Sequence, residues 1–133
     1  MNRVFVDTSA FLPLMDRSAR EHERVVRALA LLAEEGALLV TSSYTLVETG
    51  ALVKRRLGGD AFRAFGDTIV RSLEIVWVDR ALHAEAWELA AQQGRHGPSL
   101  VDCVSFLLMR DLGILRALTL DGHFGARGFE VVP

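Results

Sequence analysis

Four acidic residues could share one catalytic site on chemical grounds, and they are Asp7, Glu48, Asp102 and Asp121. Carboxylate oxygens suit hard divalent cations such as Mg²⁺ or Mn²⁺, whereas the 4 histidines are scattered and show no zinc spacing. Crowded carboxylates repel one another, so without metal at least one pKa should rise. With metal, such a cluster can activate a water and stabilise the charge that grows on a phosphodiester, which predicts hydrolysis without a covalent intermediate.

Glu48 is the acid with the weakest structural explanation. It lies in the middle of a predicted helix, among uncharged neighbours on the helical wheel at about 100° per residue. No Lys or Arg stands three or four residues away, and Arg55, two turns on, is the only basic residue on that face. Burying a lone carboxylate there is costly unless a cation faces it. This pattern favours a metal ligand.

The three aspartates each have a structural alternative. Asp7 and Asp121 follow apolar runs and could simply cap the next turn or helix, because Asp is a favoured N-cap residue. Asp102 stands three residues after Ser99, the spacing of a capping box in which an acid reaches back to the N-cap amide. A structural and a catalytic role therefore both stay open for each aspartate.

The elements that position these acids alternate between short apolar runs and amphipathic segments. Strands are predicted at residues 4–6, 37–40, 74–78 and 115–120, and residues 129–132 are a candidate fifth strand. Helices are predicted at residues 18–35, from the hydroxyl residues 41–43 to about 57, and at 60–72, 80–93 and 99–111, with a turn at 121–123. This pattern predicts an α/β fold with three layers, α/β/α, around a mainly parallel sheet of four to five strands, and one domain over residues 1–133. In such folds the site lies at the carboxyl ends of the strands.

Composition limits the classes of function. The chain has 133 residues, 50% hydrophobic and 24% charged, which is ordinary for a globular domain. Lys and Arg number 15 against 17 Asp and Glu, for a net charge of −2, so bulk charge does not suggest a protein that coats nucleic acid. Cys103 is the sole cysteine, and no signal peptide or apolar membrane span is apparent. A cytoplasmic location is expected.

Four short stretches resemble a known family of nucleases. They are residues 4–10 (VFVDTSA), 45–49 (TLVET), 99–103 (SLVDC) and 118–124 (LTLDGHF), and the ending GFEVVP is similar to the family's last strand. In order and spacing they resemble PIN-domain nucleases, of the kind found as VapC-type toxins in bacterial and archaeal toxin–antitoxin pairs. The resemblance covers essentially the whole chain.

The resemblance implies cleavage of single-stranded RNA with Mg²⁺ or Mn²⁺ at the four acids. It also implies that hydroxyl groups hold the cluster, with Thr8 or Ser9 beside Asp7 and with Thr119 orienting Asp121. Many relatives carry another acid where this chain has His123, which bears on whether a second metal binds. Family members are usually homodimers, and the toxins are inhibited by a small antitoxin protein that inserts into the site groove.

Residues outside the cluster allow weaker predictions. Arg55 and Arg95 could contact RNA phosphates, although a basic helix end for Arg55 and a solvated loop for Arg95 are the favoured explanations. Trp77 and Trp87 are expected in the core or at a dimer contact rather than as platforms for base stacking. Because the site is acidic, RNA is expected to bind poorly until a metal ion fills it.

Of the other functions considered, the sequence disfavours two and leaves two open. A phosphatase of the haloacid dehalogenase kind would need a second Asp two residues after Asp7, where Ser9 stands. A receiver-like signalling domain would need a late lysine, and the only one is Lys54. A nuclease that processes RNA outside a toxin pair, and a metal-binding or protein-binding module without turnover, are both compatible with the sequence.

Overall fold

The computed structural model describes residues 2–133, over which the chain forms five strands and seven α-helices. The strands are β1 (Arg3–Val6), β2 (Leu38–Ser42), β3 (Glu74–Val76), β4 (Arg116–Leu118) and β5 (Glu130–Val132). The helices are α1 (Thr8–Met15), α2 (His22–Glu34), α3 (Ser43–Leu57), α4 (Gly59–Ala64), α5 (Arg80–Ala91), α6 (Leu100–Leu112) and α7 (Gly122–Ala126). No helix in this range is both long and apolar enough to cross a membrane.

The five strands form one sheet in the order β3-β2-β1-β4-β5, and every pair is parallel. Strand β1 is central, with Val4 paired to Leu39 of β2 and to Arg116 of β4. Because all strands run the same way, their carboxyl ends meet at one edge of the sheet. The predicted fold class is confirmed, and the sheet has five strands, the larger of the two predicted numbers.

Helices cover both faces of the sheet because side chains alternate along β1. Val4 and Val6 are buried on one face, in a cluster with residues of α1 and α2 such as Phe11 and Leu32. Phe5 is buried on the opposite face in the cluster that contains Phe106 of α6. The central strand is therefore apolar throughout and cannot lie at a solvated edge.

Four element predictions need correction. Helix α1 was not predicted. It contains Pro13, and the missing proline N–H removes only one hydrogen bond late in a short helix. Helix α2 begins at His22 rather than at residue 18, because the residues before it form turns. The helix predicted at 60–72 is α-helical only to Ala64. A π turn (Phe65–Ile69) and a 3₁₀ turn (Val70–Ser72) follow it. The predicted turn after Asp121 is the start of α7.

Candidate metal centre at the carboxyl edge of the sheet

Three of the four predicted acids lie at helix starts on one edge of the sheet. Asp7 follows β1 and is the N-cap of α1, and Asp121 follows β4 and is the N-cap of α7. Asp102 is the third residue of α6. Each carboxylate thus lies at the partly positive end of a helix, which lessens the cost of placing negative charges side by side.

Asp7 is the most buried of these acids, with 3% of its surface exposed. Its Oδ2 accepts hydrogen bonds from the Ser9 hydroxyl at 2.7 Å, the Thr119 hydroxyl at 3.1 Å and the Ser9 backbone N–H at 3.3 Å. These three donors fix the orientation of the carboxylate and offset part of the cost of burying it.

The same two hydroxyls connect the ends of β1 and β4. The Ser9 Oγ accepts a hydrogen bond from the backbone N–H of Leu120 at 2.9 Å, and it lies 3.0 Å from the Thr119 Oγ1. The Thr119 Oγ1 accepts a hydrogen bond from the Asp121 N–H at 3.0 Å. Asp7 and Asp121 are therefore held in fixed relation through Ser9 and Thr119. Thr8 has a different partner, because its hydroxyl accepts from the Thr49 hydroxyl of α3 at 3.0 Å.

The capping roles of the three aspartates are also real. Asp102 and Ser99 form a capping box, in which the Asp102 Oδ2 accepts from the Ser99 N–H at 3.0 Å. The Asp121 Oδ1 accepts from the His123 N–H at 2.9 Å. Each aspartate uses a single oxygen in this way. Within residues 2–133, the Oδ1 of Asp7, the Oδ1 of Asp102 and the Oδ2 of Asp121 make no hydrogen bond, so each carboxylate keeps an oxygen for a ligand.

A group of donor atoms suited to a cation is present at this edge. One ligand atom from each of Asp102, Asp121 and His123 lies within 4.8 Å of the other two. The oxygen-rich set with one nitrogen fits a divalent ion of the Mg²⁺ or Mn²⁺ class. The residues present therefore fit the implied metal. Asp7 lies near the group, because the charge of Asp102 contributes to the raised pKa of Asp7.

The electrostatics of the cluster agree with the repulsion expected from the sequence. Burial raises the pKa of Asp7 to about 6, the hydrogen bonds from Ser9 work against that rise, and the charge of Asp102 adds to it. Burial also raises the pKa of Asp102, with a further contribution from Asp121. The pKa of His123 is raised by its hydrogen bond to Asp121. A cation would relieve the repulsion among these acids.

Glu48 stands somewhat apart from this group. It is half-buried on α3 and makes no hydrogen bond or ion pair within residues 2–133. It does not belong to the group of ligand atoms within 4.8 Å of one another. Its helix is nevertheless anchored at the site, because the next residue, Thr49, donates its hydroxyl hydrogen bond to Thr8 beside Asp7. Glu48 as a ligand remains a prediction.

The predicted RNA contacts and aromatic residues have distinct surroundings. Arg55 is exposed in the last turn of α3, and Arg95 is exposed in the loop before α6. The neighbouring backbone of His96 lies close enough to His123 to raise the pKa of that imidazole, so the loop borders the site.

Trp77 and Trp87 are 75% and 56% exposed, so the expectation that they lie in the core was wrong, and a dimer contact remains.

Two residues of the site were missed by sequence reasoning. His123 was noted only as standing in place of an acid that many relatives carry, and its own place among the ligand atoms was not predicted, although its position two residues after Asp121 was the available signal. Thr49 was noted only as part of a motif, and its contact with Thr8 joins residues 41 positions apart. No local pattern announces such a contact.

The buried charge of Asp7 predicts a stability effect in the metal-free protein. Its pKa is about 6 in the folded protein, above the ordinary value of 3.8 for an aspartate. The folded state therefore binds more protons than the unfolded state, and stability should fall as pH rises from about 4 to 6. With a chelator at pH 7.5, Asp7→Asn should raise the free energy of unfolding by about 1 to 3 kcal/mol, measured by denaturant titration. The gain should vanish at pH 4. The exposed Asp67→Asn is the control, and equal responses of the two variants would contradict the assignment.

Comparisons with known proteins agree with this geometry. The profile of the PIN domain matches residues 4–130. The 23S rRNA-specific endonuclease VapC20 of Mycobacterium tuberculosis (strain CDC 1551 / Oshkosh) is 35% identical over 134 residues, which cover 98% of each chain. The same protein from strain H37Rv matches equally.

Solved structures share the fold. The crystal structure of Mycobacterium tuberculosis VapC20, described as a Sarcin-Ricin loop cleaving toxin, has a TM-score of 0.85 at 33% identity, and the match covers 98% of this chain and 99% of that one. FitAcB from Neisseria gonorrhoeae has a TM-score of 0.69 at 21% identity, with coverage of 98% and 96%, and shows the fold alone. Because the PIN-domain family matches residues 4–130 and VapC20 is 35% identical along nearly the whole chain, this chain belongs to the PIN-domain family.

Proposed function

We propose that this protein is an endoribonuclease that depends on Mg²⁺ or Mn²⁺ and hydrolyses single-stranded or looped RNA. The observation that carries the proposal is a set of aspartate oxygens at one sheet edge, one each from Asp7, Asp102 and Asp121, that make no hydrogen bond to any of the residues 2–133. Glu48, which is half-buried and has no hydrogen bond or ion pair among the described residues 2–133, supplies the fourth carboxylate. The similarity to a protein named as a 23S rRNA-specific endonuclease supports RNA as the substrate class.

The chain's own residues position the reaction. Ser9 and Thr119 hold the Asp7 carboxylate by hydrogen bonds, and the capping box of α6 holds Asp102. A bound divalent ion lowers the pKa of a water and stabilises the charge that grows on the phosphodiester. The acids bind that ion, and their geometry sets where the phosphate can approach it.

Basic residues near the site provide the approach for RNA. Arg95 is exposed in the loop that borders His123, and Arg55 is exposed about 10 Å along α3 from Glu48, at 1.5 Å per residue. Both can contact phosphates without reading sequence. With a net charge of −2, the protein relies on the ion and on these arginines to offset the repulsion between its carboxylates and RNA.

The central test compares metal-dependent RNA cleavage by matched variants. Wild type with Mn²⁺ should cleave an RNA with single-stranded loops, whereas Asp7→Asn and Glu48→Gln should each lose at least about 100-fold in rate, because each removes one charge from the ion's surroundings. Cleavage is followed by gel electrophoresis. Wild-type RNA binding should also weaken when a chelator replaces Mn²⁺.

Glu34→Gln is the control, since Glu34 is exposed on α2 and the change in charge is the same. It should cleave like wild type. Cleavage by Asp7→Asn at the wild-type rate would show that the carboxylate mechanism is wrong. Binding of RNA that is equally tight in chelator and in Mn²⁺ would remove the proposed role of the ion in attracting the substrate.

We further propose that the nuclease is the toxin of a type II toxin–antitoxin pair, with a small antitoxin protein as its partner. One support is the similarity to VapC20, whose structure is described as that of a toxin. Another is the fold shared with VapBC2 of Rickettsia felis, at a TM-score of 0.68 and 15% identity over 97% of this chain and 96% of that one. A short open reading frame directly upstream of the gene, whose product suppresses the RNA cleavage, is the expected finding. Its absence would favour an RNA-processing nuclease outside such a pair.

A homodimer is the proposed assembly, and an exposed apolar surface supports it. Val47 of α3, Trp77 after β3 and Trp87 of α5 are 73%, 75% and 56% exposed. All three lie around the start of α3. The ring of Trp87 lies beside that of His83, which contacts Tyr44 of α3, and the residue after Trp77 donates its backbone N–H to the Ser43 hydroxyl at the first position of α3. Large exposed aromatic residues of this kind are typical of protein interfaces.

Disrupting this aromatic surface should separate the subunits. Trp87→Glu should convert a dimer to a monomer, because it places a charge in the middle of an apolar contact. The molar mass by light scattering during gel filtration gives the result. Leu115→Glu is the control, since Leu115 is 72% exposed and lies before β4. A Trp87→Glu protein that stays dimeric, or a Leu115→Glu protein that dissociates, would place the contact elsewhere.

A further inference from the structure

The imidazole of His123 lies within the carboxylate cluster and makes its closest polar contact with one of the acids. Its Nδ1 is 2.8 Å from the Asp121 Oδ1. A ligand atom of His123 also lies within 4.8 Å of those of both Asp102 and Asp121. We propose, on the basis of the function proposed above, that His123 is a nitrogen ligand of the bound ion and makes the site selective for Mn²⁺ over Mg²⁺.

The spacing of the donor atoms is compatible with a shared ion. One ligand atom from each of His123, Asp102 and Asp121 lies within 4.8 Å of the other two, and opposite ligands of an octahedral ion with bonds of about 2.1 Å lie about 4.2 Å apart. The 2.8 Å contact between Nδ1 and the Asp121 Oδ1 is a hydrogen bond that orients the imidazole and leaves Nε2 as the nitrogen for the ion. The Oδ2 of Asp121 and the Oδ1 of Asp102 make no hydrogen bond within residues 2–133, so they remain available to the same ion.

Helix α7 holds the imidazole at the site. The His123 backbone N–H donates to the Asp121 Oδ1 at 2.9 Å. The next residue, Phe124, is fully buried and packs against Phe5 of the central strand and Phe106 of α6. The packing of Phe124 therefore fixes the backbone of α7 beside the acids, and the hydrogen bond to Asp121 orients the His123 ring.

A nitrogen ligand changes which ion the cluster prefers. Mg²⁺ strongly favours oxygen ligands, whereas imidazole suits transition-metal ions and Mn²⁺ accepts both donor types. A cluster made only of carboxylates would discriminate little between Mg²⁺ and Mn²⁺. With His123 among the ligands, the ratio of Mn²⁺ to Mg²⁺ affinity should be high, and replacing the imidazole by a carboxylate should lower it.

The test measures the bound ion directly and without turnover. Mn²⁺ is added to the full-length protein, and pulsed electron paramagnetic resonance detects the coupling of a directly bound ¹⁴N nucleus. Wild type should show this coupling, and His123→Gln should lose it. The control His96→Gln, which removes an exposed imidazole from the adjacent loop, should retain it. Competition calorimetry should show that His123→Asp lowers the ratio of Mn²⁺ to Mg²⁺ affinity by at least about tenfold.

The outcomes separate this inference from the function on which it rests. Mn²⁺ bound by wild type without nitrogen coupling, or a coupling that persists in His123→Gln, would overturn the role of His123 and leave the carboxylate nuclease intact. Failure of wild type to bind Mn²⁺ at all would overturn both proposals. Circular dichroism of each variant verifies folding, and His123→Asp gives an independent answer through the affinity ratio if His123→Gln is unstable.

Discussion

The repulsion between carboxylates that share one edge of a parallel sheet is the constraint on which this site depends. The fold brings Asp7, Asp102 and Asp121 to that edge because β1, β4 and the start of α6 all point there. Burial and mutual repulsion raise the pKa of Asp7 to about 6. Helix N termini and hydroxyl groups lessen the cost without removing it, and this residual repulsion is the free energy that a divalent ion recovers when it binds.

Structural and chemical roles are divided between the two oxygens of each aspartate. One oxygen of Asp102 completes the capping box of α6, and one oxygen of Asp7 accepts hydrogen bonds from Ser9 and Thr119. The other oxygen of each makes no hydrogen bond within residues 2–133. Capping and metal binding are therefore not alternatives in this fold. The cap orients the carboxylate, and the orientation is what a metal ligand needs.

The supports of the site come from elements that are distant in the chain. Thr119 lies 112 residues from Asp7 and donates a hydrogen bond to its carboxylate. Thr49 ties α3 to the start of α1, so the helix that carries Glu48 moves with the loop that carries Asp7. These hydroxyls are buried or nearly so, and a buried hydroxyl without a partner is costly. The network is therefore satisfied only when the strand ends are in register.

The sequence by itself determined the fold class, the apolar run that forms β1 and the edge at which Asp7 and Asp121 would meet, whereas the strand order that makes β1 central came from the structure. These follow from local patterns, because alternation along β1 and capping signals at α3 and α6 act over a few residues. Only the tertiary structure decided that His123 joins Asp102 and Asp121, that Thr49 contacts Thr8, that Trp77 and Trp87 face solvent, and that α1 forms despite Pro13. The physical reason is distance along the chain, since contacts between remote residues depend on packing and register, which no short stretch of sequence contains.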